Sequence, residues 1–211
     1  MTGWLPATTV LGAYHDGVTA VCELASQFSE ELWQATTPCP DWRAADLAGH
    51  LRCVIDDYHE YLDDAPDSRL ARLLATGKGA ESLARKLARQ NAAELAALPD
   101  APPACHIAAF AAAARSYAAR LEPVWRLPHH RYLGREVTVA GMACAACVEW
   151  HLHAWDLARA LGTSYRPAIP GLIAAAWRAG PPQLQQPLPA GQADPWLAVL
   201  AASGRRPDWP G

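Results

Sequence analysis

Glu149 and His153 stand four residues apart in the run CVEWHLHAWDLARALG, and His50 closes the run PDWRAADLAGHL about a hundred residues earlier. On an α-helix four residues advance about 400° and roughly 6 Å, so the carboxylate and the imidazole project from one face. Such a pair can grip a single divalent cation. A third donor, a nitrogen from a facing helix, would give three protein ligands and leave one coordination position open, as in catalytic zinc sites. His50, Glu149 and His153 are therefore the candidate metal ligands.

The neighbours of the trio suggest supporting roles. Met142, Ala146, Asp156 and Ala160 continue the face of Glu149 and His153, and the small residues leave room for a cavity. Asp156 is placed to accept the second ring N–H of His153. Asp46 and Asp57 share the face of His50 with Val54 and are the corresponding candidates there. His151 is offset by about 200° from Glu149 and should point elsewhere. Arg52 and Arg159 lie near the ligands in sequence and are candidates to bind a carboxylate substrate, with a surface position as the alternative.

Plainer readings exist for each motif. A Glu and a His one turn apart also form an ordinary solvated pair, a lone His50 also suits a satisfied core histidine, and spacing does not choose among eight histidines. Cys144 and Cys147 have CxxC spacing, but without a second CxxC or a βαβ pattern they read as two small buried side chains. His129 and His130 read as part of a surface loop. Cys39, between two prolines, belongs to a rigid turn near the start of the His50 helix, where packing is the default role. Trp33, Trp42, Trp150 and Trp155 flank the site in sequence and read as core.

The elements that must position these residues are helical. Apolar residues recur at helical spacing over residues 8–33, and the two prolines of TTPCPDW break the run. Asp41 is a candidate N-cap for a helix over 43–62. A third helical region is split by LPDAPP into 81–97 and 105–121. The connection PVWRLPHHRYLGREV follows, with room for a short extended piece, then a long helix over 139–161, with Gly162 at a C-terminal cap position. Shorter helices are expected over 169–178 and 196–201. With no convincing strand alternation, the expected fold is all-α: a four-helix bundle with short C-terminal helices. Residues 1–165 form the metal-binding bundle, and residues 166–211 form an extension packed on it within the same domain.

Composition narrows the function. Half of the chain is apolar and 18% is charged, which suits a compact globule. The net charge is -3 with both signs interspersed, so no basic stripe offers nucleic acid a landing surface. Charged or polar residues interrupt every long apolar stretch, which argues against a membrane span. No basic segment precedes an apolar stretch at the N-terminus, so the six cysteines are expected to be reduced thiols in a cytoplasmic protein. GxGxxG, Walker A, GxSxG and HExxH are all absent, which removes the common nucleotide and hydrolase signatures. An apolar bundle of this kind can form a homodimer through an outer face.

Three blocks then resemble one family. TTPCPDWRAADLAGHL resembles the T-P-C-x-x-W-x-x-x-D-L-x-x-H-L opening of the DinB-like, mycothiol-dependent maleylpyruvate isomerase family. VEWHLHAWDLARALG resembles its E-x-x-x-H-x-W-D-L-A-R-A-x-G segment, and WLAVLAASGRRPDW its terminal L-x-x-x-G-R-x-P-x-W. The resemblance implies a four-helix bundle with a divalent metal, zinc or another such as Ni²⁺, held by His50, Glu149 and His153. Mycothiol would be the cosubstrate, and the reaction transfer to, or isomerisation of, a small electrophilic metabolite. The isomerase itself carries a further C-terminal α/β domain. This chain has only about fifty residues beyond Gly162 and is similar to the shorter members. A metal-dependent hydrolase and a non-catalytic bundle binding a metal or small ligand are the alternatives.

Overall fold

The computed structural model describes residues 5–63, 80–132, 135–181 and 186–209. In chain order the helices are α1 (Ala7–Ala25), α2 (Ala44–Leu62), α3 (Ala80–Ala97), α4 (Pro103–Leu121), α5 (Val139–Ala160), α6 (Pro170–Ala179) and α7 (Pro195–Ala202). α5 packs against α1 and α2, and α4 packs against the same two, so these four enclose one core. α3 lies on α2, α6 on α5, and α7 on α6. The all-α bundle expected from the sequence is the architecture found.

Three local expectations are corrected. A two-stranded antiparallel hairpin, β1 (Pro128–Tyr132) with β2 (Arg135–Thr138), fills the connection before α5, pairing Pro128 with Thr138 and Tyr132 with Arg135. His129 and His130 thus belong to a strand and not to a loop. Next, α1 stops at Ala25, where Ser26 turns its hydroxyl onto the Glu23 carbonyl. Trp33 sits instead in a short 3₁₀ turn (Leu32–Gln34), stacked on Phe28 at 4.5 Å. Finally, Asp41 does not cap α2. It lies in the turn itself at φ 67°, and the Asp46 carboxylate reaches back one turn to accept from the Arg43 backbone N–H at 2.8 Å.

The turn before α2 is tied by Thr37. Its backbone N–H and its hydroxyl both donate to the Trp42 carbonyl, and its hydroxyl oxygen accepts from the Cys39 N–H. That knot fixes both Cys39 and Trp42 against the start of α2. Downstream, Thr138 caps α5 by accepting from the Gly141 N–H at 3.0 Å. Gly162, at φ 71°, ends α5 with paired bonds from its own N–H to Arg159 and from Thr163 to Ala158, a Schellman arrangement.

α5 is the central element. Every residue from position 139 to position 158 is buried except Glu149. Its alanines let neighbouring helices approach closely. At Gly17 of α1, an added Cβ would stand 3.0 Å from the Trp150 Cβ, so the close α1–α5 contact favours glycine there. Trp150 in turn meets Tyr14 of α1, Tyr58 of α2 and Phe110 of α4 edge-on, with centroids at 5.9, 5.8 and 4.9 Å. Such ring pairs contribute about 0.5–1.5 kcal/mol each beyond simple burial. The indole thus pins all four helices at the level of Glu149.

Candidate metal centre

Glu149 and His153 lie one turn apart on α5, and α2 carries His50 across the interface to meet them. The Oε1 of Glu149 stands 3.6 Å from Nε2 of His50 and 3.9 Å from Nε2 of His153. The two rings meet edge-on at 5.1 Å. One ligand atom from each residue lies within 4.8 Å of the others. Around zinc, with bonds of about 2.0–2.1 Å, tetrahedral donor atoms stand about 3.4 Å apart. Two imidazole nitrogens and one carboxylate oxygen at these separations therefore fit a divalent cation in both spacing and donor chemistry. Both His side chains are 7% exposed and Glu149 is 26% exposed, so the centre opens to solvent on the carboxylate side.

Other side chains orient the three. Asp156, fully buried, accepts the Nδ1–H of His153 on Oδ2 at 3.0 Å, which leaves Nε2 facing Glu149. Arg205 grips the same carboxylate at both oxygens, Nε to Oδ1 at 2.8 Å and Nη2 to Oδ2 at 2.6 Å. The Cys39 thiol donates to Oδ2 as well, at 3.2 Å. Tyr58 donates its hydroxyl to Oε2 of Glu149 at 2.9 Å, committing that oxygen and leaving Oε1 for the imidazoles. The Trp42 ring covers His50 at 4.6 Å.

The electrostatics follow from this network. Burial disfavours the Glu149 charge, yet the imidazoles of His153 and His50 beside it hold its carboxyl far below the usual range. Burial likewise opposes the Asp156 charge, and the Arg205 guanidinium together with His153 overcomes it. Burial pushes His50 down, against the pull of Glu149. For His153, burial is outweighed by its bond to Asp156 and by Cys39 and Glu149 close by, so it is raised well above an ordinary imidazole.

The remaining sequence candidates are placed as follows. Neither Asp46 nor Asp57 takes the second nitrogen of His50, whose buried Nδ1 has no hydrogen-bond partner among the described residues. Asp46 serves its own helix terminus, and Asp57 is half-buried beside Tyr58. Arg52 pairs with Asp56 one turn along α2. Arg159 donates to the Trp209 carbonyl at 2.5 Å and so holds the C-terminal segment. His151 faces away from the centre. Its Nε2–H donates to the Ala13 carbonyl at 2.9 Å, its Nδ1 accepts from the Tyr165 hydroxyl, and burial pushes it down to about 4. Cys144 and Cys147 are free and buried. Cys39, His153 and Asp156 also bring potential ligand atoms together. There, however, the guanidinium of Arg205 already supplies the positive charge.

Sequence reasoning missed two residues. Tyr58 follows His50 by eight positions, two helical turns, a spacing that could have been read. Arg205 gave no local sign, because its partner is far away in the chain; only its place in the GRRPDW block marked it.

Two histidines and a glutamate converging between facing helices define the chain as a bundle protein with a candidate metal-binding centre. Comparison then gives the family. The chain belongs to the mycothiol maleylpyruvate isomerase N-terminal domain family, whose profile matches residues 14–158. The match spans from within α1 to nearly the end of α5 and includes all three candidate ligands, whereas Arg205 lies outside it. The DinB-like fold implied by the sequence blocks is the fold of that family. Searches of curated proteins and of solved structures give no significant match. Among the described residues no helix is long and apolar enough to cross a membrane.

Proposed function

We propose that His50, Glu149 and His153 hold a divalent cation, zinc or a similar ion such as Ni²⁺, and that the protein uses it with a low-molecular-weight thiol. Mycothiol is the thiol that the family points to. The observation that carries this reading is the 3.6 and 3.9 Å approach of one Glu149 oxygen to the two imidazole nitrogens. The substrate is a small electrophilic metabolite, and the reaction is sulfur transfer to it or its isomerisation by addition and elimination. A cytoplasmic location suits a thiol that must stay reduced.

A divalent cation bound here would favour the thiolate form of a coordinated thiol near neutral pH. The chain's own residues supply the rest. With a cation bound, His50 and His153 would serve as neutral donors, the cation taking the place of the Nε2 proton of His153, and Glu149 would add one negative charge, a set that would leave the centre about +1 and suited to an anionic sulfur. Tyr58 holds the outer oxygen of Glu149, so the carboxylate presents one atom inward. Asp156 keeps the Nδ1 proton of His153 in place. Trp42 shields one side of His50. The partly exposed Glu149 marks the side from which thiol and electrophile approach, and holding both there supplies proximity.

The test is metal analysis of the purified protein followed by spectroscopy of its cobalt form. One cation per chain and a thiolate-to-cobalt charge-transfer band on adding mycothiol are expected. Absence of bound metal overturns the site. A cobalt spectrum indifferent to mycothiol overturns the thiol chemistry and favours a hydrolase.

A further inference from the structure

We propose that Arg205 is a positioning residue of the metal centre, acting through Asp156 on His153, so that cation affinity depends on docking of the segment that follows α7. The inference rests on the metal reading above and extends it to a part of the chain outside the family match. Asp156 is 0% exposed, and its two oxygens accept from two nitrogens of one guanidinium, Nε and Nη2, in a forked pair. A fork of this kind fixes the plane of a carboxylate as well as its charge. With the plane fixed, Oδ2 faces the Nδ1–H of His153 at 3.0 Å, and the ring presents Nε2 inward. Partners behind a metal-ligating histidine set both its tautomer and its ring orientation.

The backbone delivers Arg205 to this position. Gly204, at φ 81°, terminates α7 with bonds from its N–H to Ala201 at 3.1 Å and from the Arg205 N–H to Leu200 at 2.9 Å. That left-handed residue turns the chain towards α5 immediately before the arginine. α5 answers one turn further along, where Arg159 donates to the Trp209 carbonyl. Asp156 and Arg159 thus attach the segment at two points, and the first is also the support of a candidate ligand. Cys39, brought by the turn before α2, adds a third contact on the same oxygen. Without Arg205, the Asp156 carboxylate keeps only the single-point contacts of Cys39 and His153 and is free to rotate.

The experiment compares the full chain with Arg205→Met, Arg205→Lys and Asp156→Asn, each checked for folding by circular dichroism. Two quantities are read. One is zinc affinity by competition with a chromophoric chelator. The other is the slowly exchanging, downfield Nδ1–H proton of His153 in the metal-free protein, by NMR. In the unaltered chain the proton is seen. In Arg205→Met it is expected to be lost to exchange, with zinc binding weakened about 10- to 100-fold. Lys reaches one oxygen only and recovers part of both. Arg205→Met adds no further loss on top of Asp156→Asn. An Arg205→Met protein that retains the proton and binds zinc within a factor of about two of the unaltered chain overturns the proposal, against the range expected for such partners. If Arg205→Met does not fold, Arg205→Lys decides, and unchanged values for it overturn the proposal equally. If the unaltered chain binds no zinc, the metal reading fails, while the NMR comparison still decides whether Arg205 positions His153.

Discussion

Replacing Tyr58 by Phe removes one oxygen atom from beside Glu149. The hydroxyl sits 2.9 Å from Oε2 on a residue that is 5% exposed, so water does not readily take its place. The ring fills the same volume, and its edge-on contact with Trp150 at 5.8 Å survives. What is lost is a hydrogen bond to a charged acceptor, worth about 1.5–3 kcal/mol. The metal-free protein should lose stability of that order in urea or thermal unfolding. With its outer oxygen released, the carboxylate can rotate, and zinc affinity should fall about tenfold, the lower end expected for losing a ligand's supporting partner. Chelator competition measures the second effect. A double-mutant comparison with Glu149→Gln isolates the pair, because the Tyr58→Phe cost should shrink once its acceptor is neutral. Unchanged stability and zinc affinity in Tyr58→Phe, each within about 0.5 kcal/mol, would refute the argument, since an additivity error is no larger.

Other outcomes follow from the same geometry. Glu149→Gln keeps the shape but removes the only anionic candidate ligand of the trio; metal content after dialysis should drop to background with the helical spectrum unchanged. Alkylation of the native protein at pH 8.5 should label exposed Cys105 and spare Cys144, whose thiol burial pushes up to about 12, leaving on the order of 0.1% or less as thiolate. Because the fold favours the protonated Cys144, its contribution to stability is full below the ordinary thiol range and is lost as pH rises towards 12. Mass spectrometry showing equal labelling of the two cysteines would contradict this. Gly17→Ala gains up to about 1 kcal/mol in helix propensity, yet its Cβ would meet the Trp150 Cβ at 3.0 Å. A net loss of about 1–3 kcal/mol in denaturant unfolding is expected, as for overpacked cores.

The convergence of His50, Glu149 and His153 was legible because it needed only helical arithmetic and one facing helix. The same arithmetic separated His153 from His151, two residues apart and turned to opposite surroundings: one toward α2, the other to Ala13 and Tyr165. Gly162 was readable as a helix end because a left-handed residue there is a local requirement. The cap of α2 was misread for a local reason too. Asp41 and Asp46 are both suitable acceptors, and only the backbone path, with Asp41 at φ 67°, decides between them. The hairpin before α5 was legible only as a short extended piece because PVWRLPHHRYLGREV shows no clean alternation; its pairing is set by the register across the turn. Arg205 was beyond reach for a different reason. Its role exists only once α7 has packed through α6 onto α5 and Gly204 has turned the chain towards Asp156.

The enclosure of α5 has a consequence for how such a scaffold can change. A helix with neighbours on every side cannot be edited at one position without disturbing a packed partner, and here that helix carries two of the three candidate donors and the carboxylate behind one of them. New reagents must therefore be accommodated by whatever surrounds the mouth beside Glu149, where side chains can vary at little cost to the interior. Diversity of chemistry on this architecture is expected at its rim, with the centre held constant by the geometry of its packing.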